Sequence, residues 1–207
     1  PWSLLIPILF FVLSQCYIHW ALDISDMPGA AGTWSLYLAA SGNPRDDVAA
    51  LLYRYLEQHT SLTFIQLYHV ISIFFGGLAV VGGTLSGYAF EGRRGGLYSG
   101  LIFSCWPLIH LFSLLSGNDP IAFGLSWFAI GLILVGCKGK IQLVPLAMLG
   151  VTLFPFAIQA KEMALPALCF LSLIILIPHK RTSYSWIFFL ICIPVILYSS
   201  YWSYSWF

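Results

Sequence analysis

Long apolar runs constrain this sequence more than any other feature. A bilayer core about 30 Å thick is crossed by a helix of about 20 apolar residues. Seven runs of roughly this size are separated by charged residues or by clusters of Gly, Pro, Asn and Asp, at residues 2–21, 62–90, 97–116, 121–137, 141–158, 165–178 and 186–204. Residues 102–115 are apolar on all faces, which favours helices over the alternating strands of a membrane barrel.

Composition excludes a water-soluble protein. Only 8% of the residues are charged and 59% are hydrophobic, whereas about a quarter of the residues of a soluble domain are charged. The same scarcity of polar residues excludes a disordered chain. We therefore predict an all-α, polytopic transmembrane helical bundle of about seven spans that forms a single transmembrane domain over residues 1–207.

The charged residues predict the orientation of the bundle. With a cytoplasmic N-terminus and alternating spans, the cytoplasmic loops carry six Lys or Arg residues and one acid, whereas the opposite side carries three and seven. This asymmetry follows the positive-inside rule. The loop at residues 23–60 is then external, periplasmic or lumenal. Because membrane topology accounts for the basic residues, no nucleic-acid partner is expected.

The loop at residues 23–60 contains most of the polar residues, and loops of this length are usually functional or contain their own secondary structure. Asn43 and Pro44 predict the start of an amphipathic helix. Its apolar residues recur at helical spacing, at Val48, Leu51, Leu52, Tyr55 and Leu56. We expect this helix to lie on the outer membrane surface. A second, shorter juxtamembrane helix is predicted over residues 33–40.

Three acidic residues lie near the outer ends of predicted spans. Asp23 and Asp26 follow the first run, and Asp119 lies in the short turn before the fourth. Outward carboxylates near one face form a candidate acid–base or metal site. Alternatively, Asp119 only starts the fourth helix, with Pro120 at the first helical position.

The order of these features resembles a known family. The segment 88–110 contains the basic, glycine-rich turn Glu-Gly-Arg-Arg-Gly-Gly, and Ser-Gly-Asn-Asp-Pro follows at residues 116–120. This arrangement is similar to that of polyprenyl-phosphate-sugar-dependent glycosyltransferases of the GT-C fold. Their seven-span module has an acidic residue after the first span and a long first external loop with juxtamembrane helices. The resemblance extends over essentially the whole chain.

The resemblance implies an enzyme that transfers a sugar from a lipid-linked donor at the outer membrane face, with membrane lipid and a polyprenyl-phosphate sugar as partners. Asp23 or Asp26 matches the catalytic acidic position and would act as general base on an acceptor hydroxyl. Arg54 is the preferred ligand of the lipid phosphate, because guanidinium binds phosphate bidentately. His59 and Asp119 complete the substrate-binding candidates. No metal ligand is assigned, and a divalent metal cofactor is left open.

Two other functions are consistent with the sequence. His69 and His110 are predicted at similar depths in the second and third spans, where a facing pair would ligate haem or chlorophyll. Alternatively, the chain is a non-catalytic accessory or structural subunit of a larger membrane complex. Gly83 and Gly87 allow close helix approach, either to a partner or to the protein's own helices.

Overall fold

The computed structural model describes residues 2–22, 48–115, 118–138 and 143–160. These residues are helical apart from short connections, and no strand occurs among them. The helices are α1 (Trp2–Leu22), α2 (Val48–His59), α3 (Phe64–Cys105), α4 (Pro107–Leu115), α5 (Asn118–Gly136) and α6 (Val144–Ala160). The predicted all-α class is therefore confirmed for the described residues.

Among the described residues, three helices are long and apolar enough to cross a membrane. The qualifying segments are Leu4–Ala21, His69–Cys105 and Asp119–Gly136, and Val144–Ile158 is a shorter apolar helix. These segments match the first five predicted runs in position and support a membrane protein. The predicted runs at residues 165–178 and 186–204, like the predicted helix at residues 33–40, lie outside the described residues.

Helix α3 reverses direction at Gly92, where the backbone has φ 70° and ψ −144°. Glycine suits this conformation because it lacks the Cβ that makes a positive φ costly. The limbs before and after the reversal, residues 64–91 and 93–105, lie side by side. The Ser99 hydroxyl accordingly donates to the Gly83 carbonyl oxygen over 2.8 Å. The reversal coincides with the basic turn between the second and third predicted runs.

The third predicted run, residues 97–116, is not one continuous helix. Trp106 interrupts it with an extended backbone of φ −69° and ψ 118°, and α4 begins at the next residue. Pro107 explains the break, because proline has no amide hydrogen and its ring pushes the preceding residue out of the helical region. Residues 97–115 of this run therefore form the end of the second limb of α3 and the separate helix α4.

Small residues bring the helices of the bundle into close contact. A Cβ on Gly131 in α5 would lie 2.6 Å from the Gly82 carbonyl oxygen in α3. Within the α3 hairpin, a Cβ on Gly83 would collide with the Phe103 ring, and one on Gly87 would lie 2.5 Å from Cβ of Ser99. These glycines pack the protein's own helices, which is one of the two roles that the sequence left open for them.

The bundle has two chemically different ends. At one end, Arg93 and Arg94 are exposed beside the α3 reversal. Lys138, just after α5, donates to the Tyr88 carbonyl oxygen over 2.6 Å and lies 4.2 Å from the centre of the Tyr88 ring. We call this end of the bundle, defined by Arg93, Arg94 and Lys138, the basic end. The opposite end, where α3 and α5 begin, is the α2 end.

Candidate functional site

Helix α2 is held at the α2 end by one aromatic side chain. Tyr53 is 1% exposed. It belongs to a buried cluster contributed by α3, α5 and α6, whose other members are Ile71, Phe75, Ile121, Ala122 and Ala160. Leu52 and Leu56 pack against the same cluster. Helix α2 is therefore seated on the ends of three bundle helices. The predicted helix start at Asn43 and Pro44 lies outside the described residues.

Only one face of α2 packs against the bundle. Tyr55, one of the apolar residues that recur at helical spacing, is 60% exposed. The contacts come instead from Leu52, Tyr53 and Leu56, which share one face at helical spacing. Helical periodicity places Tyr53 and Tyr55 about 200° apart on the wheel, so only one of the two tyrosines faces the bundle.

Asp119 lies in the first turn of α5, which begins at Asn118. A carboxylate there is favoured by the positive end of the helix dipole. Pro120 is the third residue of this helix rather than the first. Ile121 and Ala122 follow within one turn and belong to the Tyr53 cluster. Asp119 and α2 therefore lie at the same end of the bundle.

His59, the last residue of α2, is exposed and has a defined ring orientation. Its Nδ1 lies 2.7 Å from the Tyr55 carbonyl oxygen, and the two rings stack with centroids 4.2 Å apart. Since a carbonyl oxygen only accepts, Nδ1 carries the hydrogen in this contact. In the neutral ring, Nε2 is then the unprotonated nitrogen that is able to accept a hydrogen bond from a ligand.

The remaining predicted site residues are described in part or not at all. Arg54 belongs to α2, but its side chain lies outside what the structure describes. Asp23 and Asp26 also lie outside the described residues. Helix α1 ends at Leu22, and its last turn lies beside the beginning of α3 through the contact of His19 with His69. The C-terminal end of α1 thus lies at the α2 end.

The histidines in the helices contact residues that the sequence did not indicate. The rings of His19 and His69 are in edge contact, with centroids 5.1 Å apart, and Nδ1 of His110 lies 2.7 Å from Nε2 of Gln15. The alternative in which His69 and His110 ligate haem or chlorophyll stays a hypothesis. Among the described residues, no group of three or more His, Cys, Asp or Glu is placed to hold a metal ion.

A hydrogen-bonded chain connects α1 to the break between α3 and α4. His110 Nε2 lies 2.7 Å from the Ser104 carbonyl oxygen, next to the interruption at Trp106. Because that oxygen only accepts, Nε2 carries the hydrogen of the neutral ring and Nδ1 is an acceptor. Gln15 Nε2 therefore donates to His110 Nδ1. The Phe11 ring stacks on the same histidine at 5.6 Å.

Sequence reasoning overlooked Gln15 and Ser72 as site candidates. Both side chains are almost completely buried, at 1% and 0% exposed. Two buried atoms of these residues, Oε1 of Gln15 and Oγ of Ser72, have no hydrogen-bond partner. The spacing of Phe11, Gln15 and His19, four residues apart on one face of α1, was the available indication in the sequence.

No family model, curated protein or solved structure matches this chain.

Proposed function

We propose that this chain is an integral membrane glycosyltransferase module that uses a lipid-linked sugar donor at the α2 end. One observation carries the proposal: Tyr53 seats α2 against the Ile121 and Ala122 segment of α5. This contact brings the helix that contains Arg54 and His59 to the end where Asp119 begins α5. The order of these elements in the sequence is the one in the GT-C family that the chain resembles.

The proposed reaction needs a base and a site for a departing phosphate. Asp23 or Asp26 accepts the proton of the acceptor hydroxyl, whose oxygen forms the new bond to the anomeric carbon of the sugar. The bond from that carbon to the lipid phosphate oxygen breaks, and the phosphate leaves with the electron pair. Arg54 compensates the negative charge of the phosphate. His59 and Asp119 orient donor or acceptor hydroxyls.

The two ends of the bundle support the proposed orientation with a cytoplasmic N-terminus. Arg93, Arg94 and Lys138 lie together at the basic end, which the positive-inside rule assigns to the cytoplasm. Pro7, one turn into α1, packs against the second limb of α3, where a Cβ on Gly100 would lie 2.6 Å from Pro7 Cγ. The first turns of α1 therefore lie toward the basic end, which supports a cytoplasmic N-terminus and an external α2 end.

Transfer of sugar from a polyprenyl-phosphate carrier to an acceptor by the purified protein in liposomes tests the proposal. We expect Asp23→Asn or Asp26→Asn to abolish transfer. Glu57→Gln, an exposed change on α2 with no assigned role, should leave transfer unchanged. If both aspartate variants and their double mutant transfer at the wild-type rate, the assigned base is wrong.

The same preparation distinguishes the alternative functions. If the protein shows no transfer and co-purifies in fixed stoichiometry with other membrane proteins, the accessory-subunit hypothesis replaces the enzyme hypothesis. A Soret absorption band in the purified protein would favour haem ligation by the helix histidines over sugar transfer.

A further inference from the structure

A row of polar side chains lies between α1 and the first limb of α3. His19 is opposite His69, and two turns further along α1, Phe11 is opposite Gly76, where a Cβ would lie 2.8 Å from Phe11 Cζ. Because the two helices are antiparallel in this register, Gln15 is at the level of Ser72. His69, Ser72 and Gly76 share one face of α3 at spacings of three and four residues.

We name this row the polar seam. Its members are Gln15, His19, His69 and Ser72, together with His110 of α4, which contacts Gln15. Three of its buried atoms have no hydrogen-bond partner: Gln15 Oε1, His19 Nε2 and Ser72 Oγ. A buried polar group without a partner destabilises the fold, because it has lost its hydrogen bonds to water. The three groups lie within two turns of the contact between α1 and α3. A binding site for a polar ligand presents such unpaired polar atoms before the ligand is bound.

The orientation of the Gln15 amide is determined by its neighbours. The Ser104 carbonyl oxygen requires a hydrogen on His110 Nε2, which leaves His110 Nδ1 as an acceptor. Only the amide nitrogen of Gln15 is able to donate to that acceptor, so the amide oxygen is the atom left without a partner. The seam thus offers a fixed acceptor at Gln15 and a hydroxyl at Ser72 that either donates or accepts.

The charge of the seam indicates the class of ligand. No Asp, Glu, Lys or Arg occurs at residues 1–22, 58–90 or 95–118, the segments that supply the seam. A divalent cation or a phosphate buried there would lose its hydration without an opposite charge to compensate. A neutral group that both donates and accepts hydrogen bonds is able to bond the unpaired atoms of the seam without the cost of burying a charge. Hydroxyl groups have that property.

We propose that the polar seam binds the hydroxyl groups of a neutral headgroup that enters from the α2 end. His19 lies in the last turn of α1 and contacts His69 near the beginning of α3. The seam therefore ends at the α2 end, the site of the proposed function, on which this inference rests. The hydroxyls come either from the sugar of the lipid-linked donor or from the glycerol headgroup of a membrane lipid. Gln15 accepts from one hydroxyl, and Ser72 and His19 bond its neighbours.

Direct binding to the purified full-length protein in nanodiscs tests the proposal. The probes are a polyprenyl-phosphate hexose, the same polyprenyl phosphate without sugar, and phosphatidylglycerol. Ser72→Ala and His19→Phe should each weaken binding of the sugar-bearing lipid about fivefold to tenfold, since each loses about one hydrogen bond. Binding of the sugar-free carrier should not change. Ser86→Ala is the matched control, because Ser86 is also buried but its hydroxyl already bonds the Gly82 carbonyl oxygen.

Each outcome decides between sources or overturns the proposal. Weaker binding of phosphatidylglycerol alone assigns the seam to the lipid glycerol, and weaker binding of the sugar-bearing lipid alone assigns it to the donor sugar. Unchanged binding of both overturns the proposal. Equal weakening of all three probes also overturns it, because the seam would then only shape the bundle. If binding depends on the sugar but the protein shows no transfer, the proposed role of the seam stands and the proposed catalysis is refuted. If the protein transfers sugar and both Ser72→Ala and His19→Phe bind normally, the catalysis stands and the role of the seam is refuted.

Discussion

Truncation of Tyr53 should release α2 from the bundle. Its side chain is 1% exposed and packs against residues of α3, α5 and α6. Removing a fully buried aromatic ring costs about 3–5 kcal/mol in a soluble core. An undocked amphipathic helix stays at the membrane interface and keeps part of its apolar burial there. We therefore expect Tyr53→Ala to destabilise the docked state of α2 by about 2 kcal/mol, roughly a 30-fold change in the opening equilibrium.

Hydrogen exchange measured by mass spectrometry in nanodiscs reports this opening on the peptide that contains α2. Exchange of these amides should accelerate about 30-fold in Tyr53→Ala, while α5 amides should change little. Tyr55→Ala is the matched control, since Tyr55 is on the same helix but is 60% exposed. It loses only the stacking on His59, worth about 0.5 kcal/mol. Equal acceleration in both variants, or none in Tyr53→Ala, would refute the docking argument.

Three further predictions concern stability and topology. Ser72→Ala should leave the free energy of unfolding unchanged or raise it by up to about 1 kcal/mol, because it removes a buried hydroxyl without a partner. Ser86→Ala should lower this free energy, because the Ser86 hydroxyl bonds the Gly82 carbonyl oxygen. Unfolding in mixed micelles measures both variants. Gly92→Ala should lower the Tm, through about 1 kcal/mol of backbone strain at φ 70°, although nothing lies within 4 Å to clash. In a cysteine-free background, Gln58→Cys should react with an impermeant maleimide in intact cells, and Arg94→Cys only after permeabilisation; the reverse pattern would invert the topology.

Much of the helical layout could be predicted from local sequence. Apolar runs fix helical segments because an unpaired backbone is too costly in lipid. The charged turn at Arg93 and Arg94 indicated the position of the reversal in α3, and Asp119 with Pro120 indicated the start of α5 to within two residues. The break at Trp106 also has a local cause in Pro107. It was missed because the apolar run continues through it.

Contacts between helices were less predictable, because periodicity gives a face but not a partner. The pattern of α2 was consistent with burying Tyr55, and only the position of α3, α5 and α6 selects Tyr53. In the same way, His69 had several possible partners until the antiparallel register of α1 and α3 placed it against His19. Gln15 stood out as a polar residue in an apolar run, but its bond to His110 depends on the break in the third run.

Photo-crosslinking tests most directly whether lipid-linked substrate binds at the α2 end. The probe is a polyprenyl-phosphate sugar with a diazirine next to the phosphate, bound to the full-length protein in nanodiscs, and the labelled peptides are identified by mass spectrometry. The account predicts labelling in residues 48–59 and 118–122 that an excess of unlabelled donor prevents. Labelling concentrated at residues 91–94 and 137–138, or spread along the exposed face of α1 and insensitive to competitor, would contradict it.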